Sequence, residues 1–323
     1  MLPRLKDFIC NAFVLISVAV HGSASPVESK LLALVPERAQ IVAGIEDPHN
    51  PESKGRLLLV THSNNLDFND WIALTGVDPH RQTDEVIEVA ASSAEGELHE
   101  HLLLIAGQFD RERIFHAARQ NGASMGEYHG QALLVVEPFA RERQEISASR
   151  WMAILDNHTT IFGSPALVRQ ALDRYLNRLE PDLPLLKRLG QLHADVNSWN
   201  VLVMSAPMLA RHVAPCQLHA AWTHILDGAD ELTIGIHYGS TDRIDFAVHA
   251  GSAQSISHLA EFLAEPRILP ADLATGMRPS HQGLSIGQNR ICGSFVVRGK
   301  QFDRWMASVY TRRSSASNSE SRP

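Results

Sequence analysis

From Arg243 to Ala250 the apolar set Ile244, Phe246, Val248 and Ala250 alternates with Arg243, Asp245, Ala247 and His249, so the first set is expected to face a core and the second water. A period of two is the mark of a strand with one face on a core and one toward water. Upstream, Asp230 to Tyr238 (DELTIGIHY) is a second strand-like run, and a Gly-Ser-Thr turn joins the two. A hairpin is therefore expected; if Ile236 pairs with Ile244 across the turn, Glu231 lies opposite His249 and His237 opposite Arg243. A helix from about Ala253 to Leu263 follows, opening at Ser252 as its cap.

The same order recurs earlier. Asp84 to Ala91 and Leu98 to Phe109 are strand-like around a Ser-Ser-Ala-Glu-Gly turn, and Asp110 caps an apolar-periodic helix through Ala118. Transfer by position from the second hairpin puts Leu102, Leu104 and Ala106 toward the core and His99 and His101 toward water, at the places of Arg243 and Asp245. A third, weaker copy runs from Leu284 to Gly299 and into a helix carrying Phe302, Trp305, Met306 and Val309. Three copies at so long a period do not make a solenoid. They predict an α+β fold of two related halves, each an antiparallel sheet with hairpin-helix units and helices packed on one face.

Between these landmarks, Gln40 to Ile45 reads as a strand, and Lys54 to Gly76 as two short helices broken near Ser63 to Asn65. Hairpins are expected over Glu127 to Glu137, turning at His129-Gly130, and over Trp151 to Phe162, turning at Asp156-Asn157. Ser164-Pro165 opens a helix with a cap residue and a proline at its first position. The halves divide near Glu180-Pro181, giving 25–180 and 181–313. Glu265 to Gln282 is read as a long surface loop.

At the N-terminus Arg4 and Lys6 precede an apolar run from Phe8 to Val20 and then Gly22, Ser23 and Ala24, the order of a secretory signal. We place it over 1–24 with cleavage after Ala24, and no later stretch is apolar enough to span a bilayer. A secreted or periplasmic location follows. Cys10 falls inside the signal, so the mature chain holds only Cys216 and Cys292, compatible with one bridge or with two buried thiols. The tail from Ser314 to Pro323 has no large apolar residue and is read as disordered. With 29 basic and 36 acidic side chains, a net charge of −7, the composition does not favour a protein that grips nucleic acid.

Seventeen histidines call for a test of metal binding. His99-Glu100-His101 sets two imidazoles on one strand face, but no third ligand is paired to them by sequence. His212, Cys216 and His219 would share a helix face at i, i+4 and i+7, yet Pro215 interrupts that helix. These five residues are the candidate ligands; the surface reading of the repeat is preferred, and no metal, cofactor or catalytic residue is assigned. The chain has no G-x-S-x-G elbow, phosphate loop or dinucleotide fingerprint. Ser164 and Ser252 are read as helix caps, and Asp67, Asp70, Asp78 and Asp84 as turn and cap carboxylates.

Leu74 to Glu85 (LTGVDPHRQTDE), Ala106 to Asp110 (AGQFD), Tyr128-His129-Gly130 and Trp151 to Gly163 (WMAILDNHTTIFG) resemble segments of a group of uncharacterised secreted proteins from acidobacteria. In that group a Thr-Gly-Phe-Asp-Pro-Arg segment recurs; here Val77 replaces the Phe and His80 the Arg. The resemblance covers roughly the first half, and it implies secretion and layout but no activity. The leading expectation is a non-catalytic exported protein that binds or interacts. The alternatives are a metal-assisted hydrolase using surface histidines, and a carrier that encloses an apolar ligand.

Overall fold

The computed structural model describes residues 26–46, 66–92, 98–141, 144–146, 149–213, 223, 226–238, 241–264, 278–279 and 284–298. The chain divides after Gly190 into two compact units. Both are mixed α+β with antiparallel strands, and each contains a hairpin followed by a helix.

The first unit opens with two short 3-10 turns, Pro26–Glu28 and Lys30–Leu34. Its strands are β1 (Ile41–Glu46), β2 (Thr83–Ser92), β3 (Leu98–Gly107), β4 (Ser124–Tyr128), β5 (Gln131–Val136), β6 (Phe139–Arg141), β7 (Gln144–Ile146), β8 (Arg150–Ile154) and β9 (Thr159–Gly163). Seven of them form a run in the order β1-β2-β3-β9-β8-β5-β4, and β6 and β7 pair separately. Its helices are α1 (Leu66–Thr75), α2 (Pro79–Gln82), α3 (Arg111–Gln120), α4 (Pro165–Leu176) and α5 (Leu183–Leu189).

Each anticipated hairpin is present. His129 and Gly130 both have positive φ, 48° and 82°, as a two-residue turn that matches strand twist requires. Asp110 accepts from the Arg113 N–H at 3.1 Å and so caps α3. Of the two helices expected over Lys54 to Gly76, α1 is present and the segment before it lies outside the described residues.

The core of this unit is built on α1. Phe68 stacks on Trp71 at 5.7 Å between ring centres, and Phe109 meets Trp71 edge-on at 6.1 Å. Around them close Ile114 and Ala118 of α3 with Val86, Leu103, Ile105, Leu134, Val136, Met152, Ile154 and Phe162 from the strands. Helices α1 and α3 thus share one face. The alternate residues Leu102 and Leu104 are buried as expected, and α4 packs on β3, β8 and β9. Leu103 and Ile105 have the parity of His101, so that side of the strand is not a water face along its length. The cause is in the sequence: Leu102 to Ile105 is a continuous apolar run, the signature of a strand covered on both sides.

The second unit contains β10 (Ser198–Val203), α6 (Ala206–Val213), β11 (Ala229–His237), β12 (Thr241–Ala250), α7 (Ala253–Ala264), β13 (Arg278–Pro279), β14 (Ser285–Ile286) and β15 (Arg290–Arg298). Strands β10, β11, β12 and β15 lie side by side, with β13 and β14 each pairing β15. The register is the anticipated one: Ile236 opposite Ile244, Glu231 opposite His249 and His237 opposite Arg243. Ser252 caps α7 by accepting from the Ser255 N–H at 3.1 Å. Ile244, Phe246 and Val248 are buried, but so is Asp245, at 4% exposure, against the expectation that it faces water. The expected helix after Gly299, the signal, the tail and most of the 265–282 segment lie outside the described residues.

Truncating Trp71 to Ala, which removes a fully buried ring at the centre of the first core, is expected to cost about 3–5 kcal/mol in denaturant unfolding. Phe246→Ala should cost a similar amount in the second unit, whereas truncating exposed Met125 should cost under about 0.5 kcal/mol.

Candidate functional site

Of the five histidine and cysteine candidates, only His101 has a described side chain. His101 lies half-buried on β3, where its N–H donates to the Ser164 hydroxyl at 3.0 Å and its carbonyl accepts from the Ser164 N–H at 2.8 Å. Ser164 occupies the N-cap position of α4, but its side chain makes no capping bond. Its hydroxyl is spent on the strand, which corrects the cap reading. His99 is on β3 and His212 on α6, with side chains outside the described set; Cys216 and His219 lie outside it entirely. Cys292 is a free, half-buried thiol on β15. Among the described residues no three His, Cys, Asp or Glu side chains are grouped to hold a metal ion.

Residues Leu74 to Gln82 form a corner between α1 and β2. Gly76, at φ 66°, ends α1 and donates its N–H to Ile72 at 2.8 Å. Asp78 then starts α2, and its N–H is taken by the Gln82 side chain at 3.0 Å. Asp78 and Asp84 are exposed, Asp70 is buried on α1, and the Asp67 side chain lies outside the described set.

Two polar constellations stand out instead. In the second unit Arg243 donates from Nε to Asp245 at 3.2 Å and from Nη1 to Asp195 at 3.2 Å, with Nη2 also on Asp195. Ser294 donates to Asp245 at 2.6 Å, and His237 Nδ1 lies 2.6 Å from the Asp195 carbonyl oxygen. A side chain at Gly235, which faces Asp245 in register, would meet Val196 at 2.8 Å, so Gly235 lets the 191–197 segment carrying Asp195 lie close. The Arg243 guanidinium holds the Asp195 carboxyl below the usual carboxylate range, against burial that raises it. Burial lowers Arg243, but the two carboxylates more than offset this and raise it. No nucleophile is paired to a histidine among these contacts; the cluster is a closed ion network that pins a loop to a hairpin.

The second constellation lies at the β4 end of the first sheet, with His129 and Arg169 exposed and Tyr128, Trp151 and Asp173 half-buried. Tyr128 donates its hydroxyl to Asp173 at 3.1 Å, and the Arg169 guanidinium sits 5.1 Å over the Trp151 ring. The Tyr128 ring lies 6.4 Å from Trp151 and 4.4 Å from the imidazole of His129. Strand pairing explains the grouping: Trp151 faces Val135 and Val135 faces Ser124, so Trp151 shares a face with Tyr128, two residue pairs along β4. Arg169 and Asp173 are i and i+4 on α4. Burial and the Asp173 carboxylate push the Tyr128 phenol up, with Arg169 acting the other way. Sequence reasoning saw His129-Gly130 only as a turn. The missed signal was an aromatic on each of two strands beside a helix with Arg and Asp one turn apart.

Arg243→Ala is expected to cost about 2–4 kcal/mol, because it strands the buried Asp245. Since Asp195 is depressed by the same arginine, its share of that stabilisation is present above the ordinary carboxylate range and lost as pH falls. The gap between wild type and variant in denaturant melts should therefore narrow on going from pH 7 to pH 3. His129→Asn, which suits the left-handed turn better, should raise stability by up to about 1 kcal/mol.

No protein-family model matches the chain, and no curated protein matches it. Among solved structures, crystal form I of TP0453 superposes with a TM-score of 0.51 at 12% identity, over 88% of this chain and 98% of that one. The likeness is one of fold.

Proposed function

We propose that the protein is an exported α+β binding protein whose working surface is the edge made by Tyr128, His129, Trp151, Arg169 and Asp173, acting by association rather than turnover. The observation that carries this reading is the exposed His129, held at φ 48° beside Tyr128, while Trp151 is stacked under Arg169. A non-glycine residue in the left-handed region costs of order 1–3 kcal/mol and is retained where the position is used. Trp, Tyr and Arg are also the side chains that dominate association energies. Export is supported by the order of charge, apolar run and small residues at the N-terminus, and the mass of the recovered chain tests it: cleavage after Ala24 leaves Ser25 first.

A second reading, a carrier of a largely apolar ligand that also bears a polar group, is favoured by Asn200. This residue is fully buried on β10, opposite Ile234 in the pairing with β11, and neither its Oδ1 nor its Nδ2 has a partner. A buried amide without partners is expensive unless something else satisfies it. Native mass spectrometry showing a co-purified amphipathic molecule that Asn200→Leu loses would establish that reading over the first.

The binding surface is tested with a photoreactive amino acid placed at His129 of the full chain and, as a control, at Ser257 on the exposed side of α7. Illumination in the producing cell should give a discrete adduct from position 129, absent from position 257 and lost on adding Trp151→Ala. Identical patterns from both positions, or no adduct at 129, would sink the proposal.

A further inference from the structure

Strand β4 ends the order β1-β2-β3-β9-β8-β5-β4, and among the described residues it pairs with β5 alone. Its outer edge is therefore open. The hairpin fixes which backbone groups face that edge. His129 and Gly130 form a two-residue turn with both φ positive, and such a turn is closed by a hydrogen-bonded pair of flanking residues, here Tyr128 and Gln131. Bonded and non-bonded pairs alternate along an antiparallel ladder. Gly126–Leu133 and Ser124–Val135 are then bonded pairs, while Met125 and Glu127 turn their N–H and C=O groups away from β5. Two donors and two acceptors are thus presented outward.

Edges of this kind are usually blunted by lysine, proline, a bulge or a covering element. Strand β4 (SMGEY) contains neither Lys nor Pro, and its pairing runs from Ser124–Val135 to Tyr128–Gln131 without a shift. Ser124, Met125 and Glu127 are exposed, Met125 at 52%. The strand is also complementary to itself. Set antiparallel to a second β4 about Gly126, the outward groups of Met125 fall opposite those of Glu127 in both directions, which closes four hydrogen bonds. Gly126 then faces Gly126 at a non-bonded position, where facing residues come closest and glycine puts no side chain between the strands. Ser124 faces Tyr128 and Met125 faces Glu127, so no two like charges stand directly opposite. The diagonal neighbours across the axis are Met125 with Met125 and Glu127 with Glu127, about 7–8 Å apart, where methionines meet and solvated carboxylates repel weakly.

We propose that β4 is a self-association edge: two copies of the chain pair β4 to β4 across a twofold axis at Gly126. The inference rests on the reading of this edge as the working surface and names its partner, while using backbone groups and the Met125–Glu127 face rather than the Tyr128 cluster. Isologous pairing closes on itself, because each copy covers the open edge of the other. A pair of five-residue strands buries less than the about 1,200 Å² at the lower end of stable interfaces, so the dimer is reversible.

Sedimentation of the full chain over a concentration series measures this association, and reversible growth from one chain mass toward two is expected. Charge then reads the register. Met125→Glu sets carboxylates directly against Glu127 and should weaken association about ten-fold or more, whereas Met125→Lys sets an ammonium there and should keep it or tighten it by up to about ten-fold. Adding Glu127→Lys to Met125→Glu should restore it. Met125 is exposed, so these variants should melt with the wild type. A chain that stays monomeric to several hundred micromolar, a loss in Met125→Lys matching that in Met125→Glu, or a Met125→Glu variant that associates like the wild type overturns the pairing. The photoreactive probe separates the two claims. A monomeric chain that still gives an adduct from position 129 to another protein overturns the pairing and leaves the working surface standing, whereas no adduct and no dimer overturns both.

Discussion

Leu102 to Ile105 present four consecutive apolar side chains to opposite sides of one strand, and a strand so built is stable only when both sides are covered. The rest of the first unit answers that requirement. On one side Phe68, Trp71 and Ile114 bring in α1 and α3; α4 and the Lys30–Leu34 turn also pack on β3. Burial from two directions leaves little room for polar atoms at the seams, and several have no partner, among them Trp71 Nε1, Thr83 Oγ1 and Thr160 Oγ1. Glu85 belongs to the same class, and there the desolvated group is one that can change its charge.

How far the sequence could be read depended on whether a segment's partners were local. The β11–β12 register was legible because alternation fixes which residues share a face and the short turn fixes which stand opposite. The hairpins at His129-Gly130 and Asp156-Asn157 were legible for the same reason. Strand β10 was missed, because the alternation of Ser198 to Val203 is short and breaks at Leu202, and its pairing partner begins 26 residues after it ends. The outward reading of Asp245 failed because its cover, Asp195 with its loop, comes from outside the hairpin. Ser164 was placed at the right end of the right helix, yet its hydroxyl serves a strand 63 residues away. Neither constellation of the candidate site could be assembled from spacing alone, since each joins residues that only the sheet order brings together.

The two constellations also show opposite uses of charge. Around Arg243 each carboxylate is engaged and the loop is held shut, a stabilising arrangement with little left over for a ligand. Around Trp151 the guanidinium and the phenol are ordered by neighbours yet remain at the surface, so the entropy cost of fixing these side chains is met within the fold itself.

The order β1-β2-β3-β9-β8-β5-β4 has a consequence for how the unit assembles. Hairpins β2–β3, β4–β5 and β8–β9 close over short loops and can form early, but β3 and β9 must meet across the intervening α3 and the strands β4 to β8. That seam carries the entropy of a long loop closure, which places it late in folding. Until it closes, β3 and β9 each expose an unpaired, strongly apolar edge, the kind of surface through which nascent chains pair with one another. The Ser164–His101 bonds lie at the end of this seam, so they form as the sheet becomes continuous, and the time before they form is when the chain is most open to aggregation.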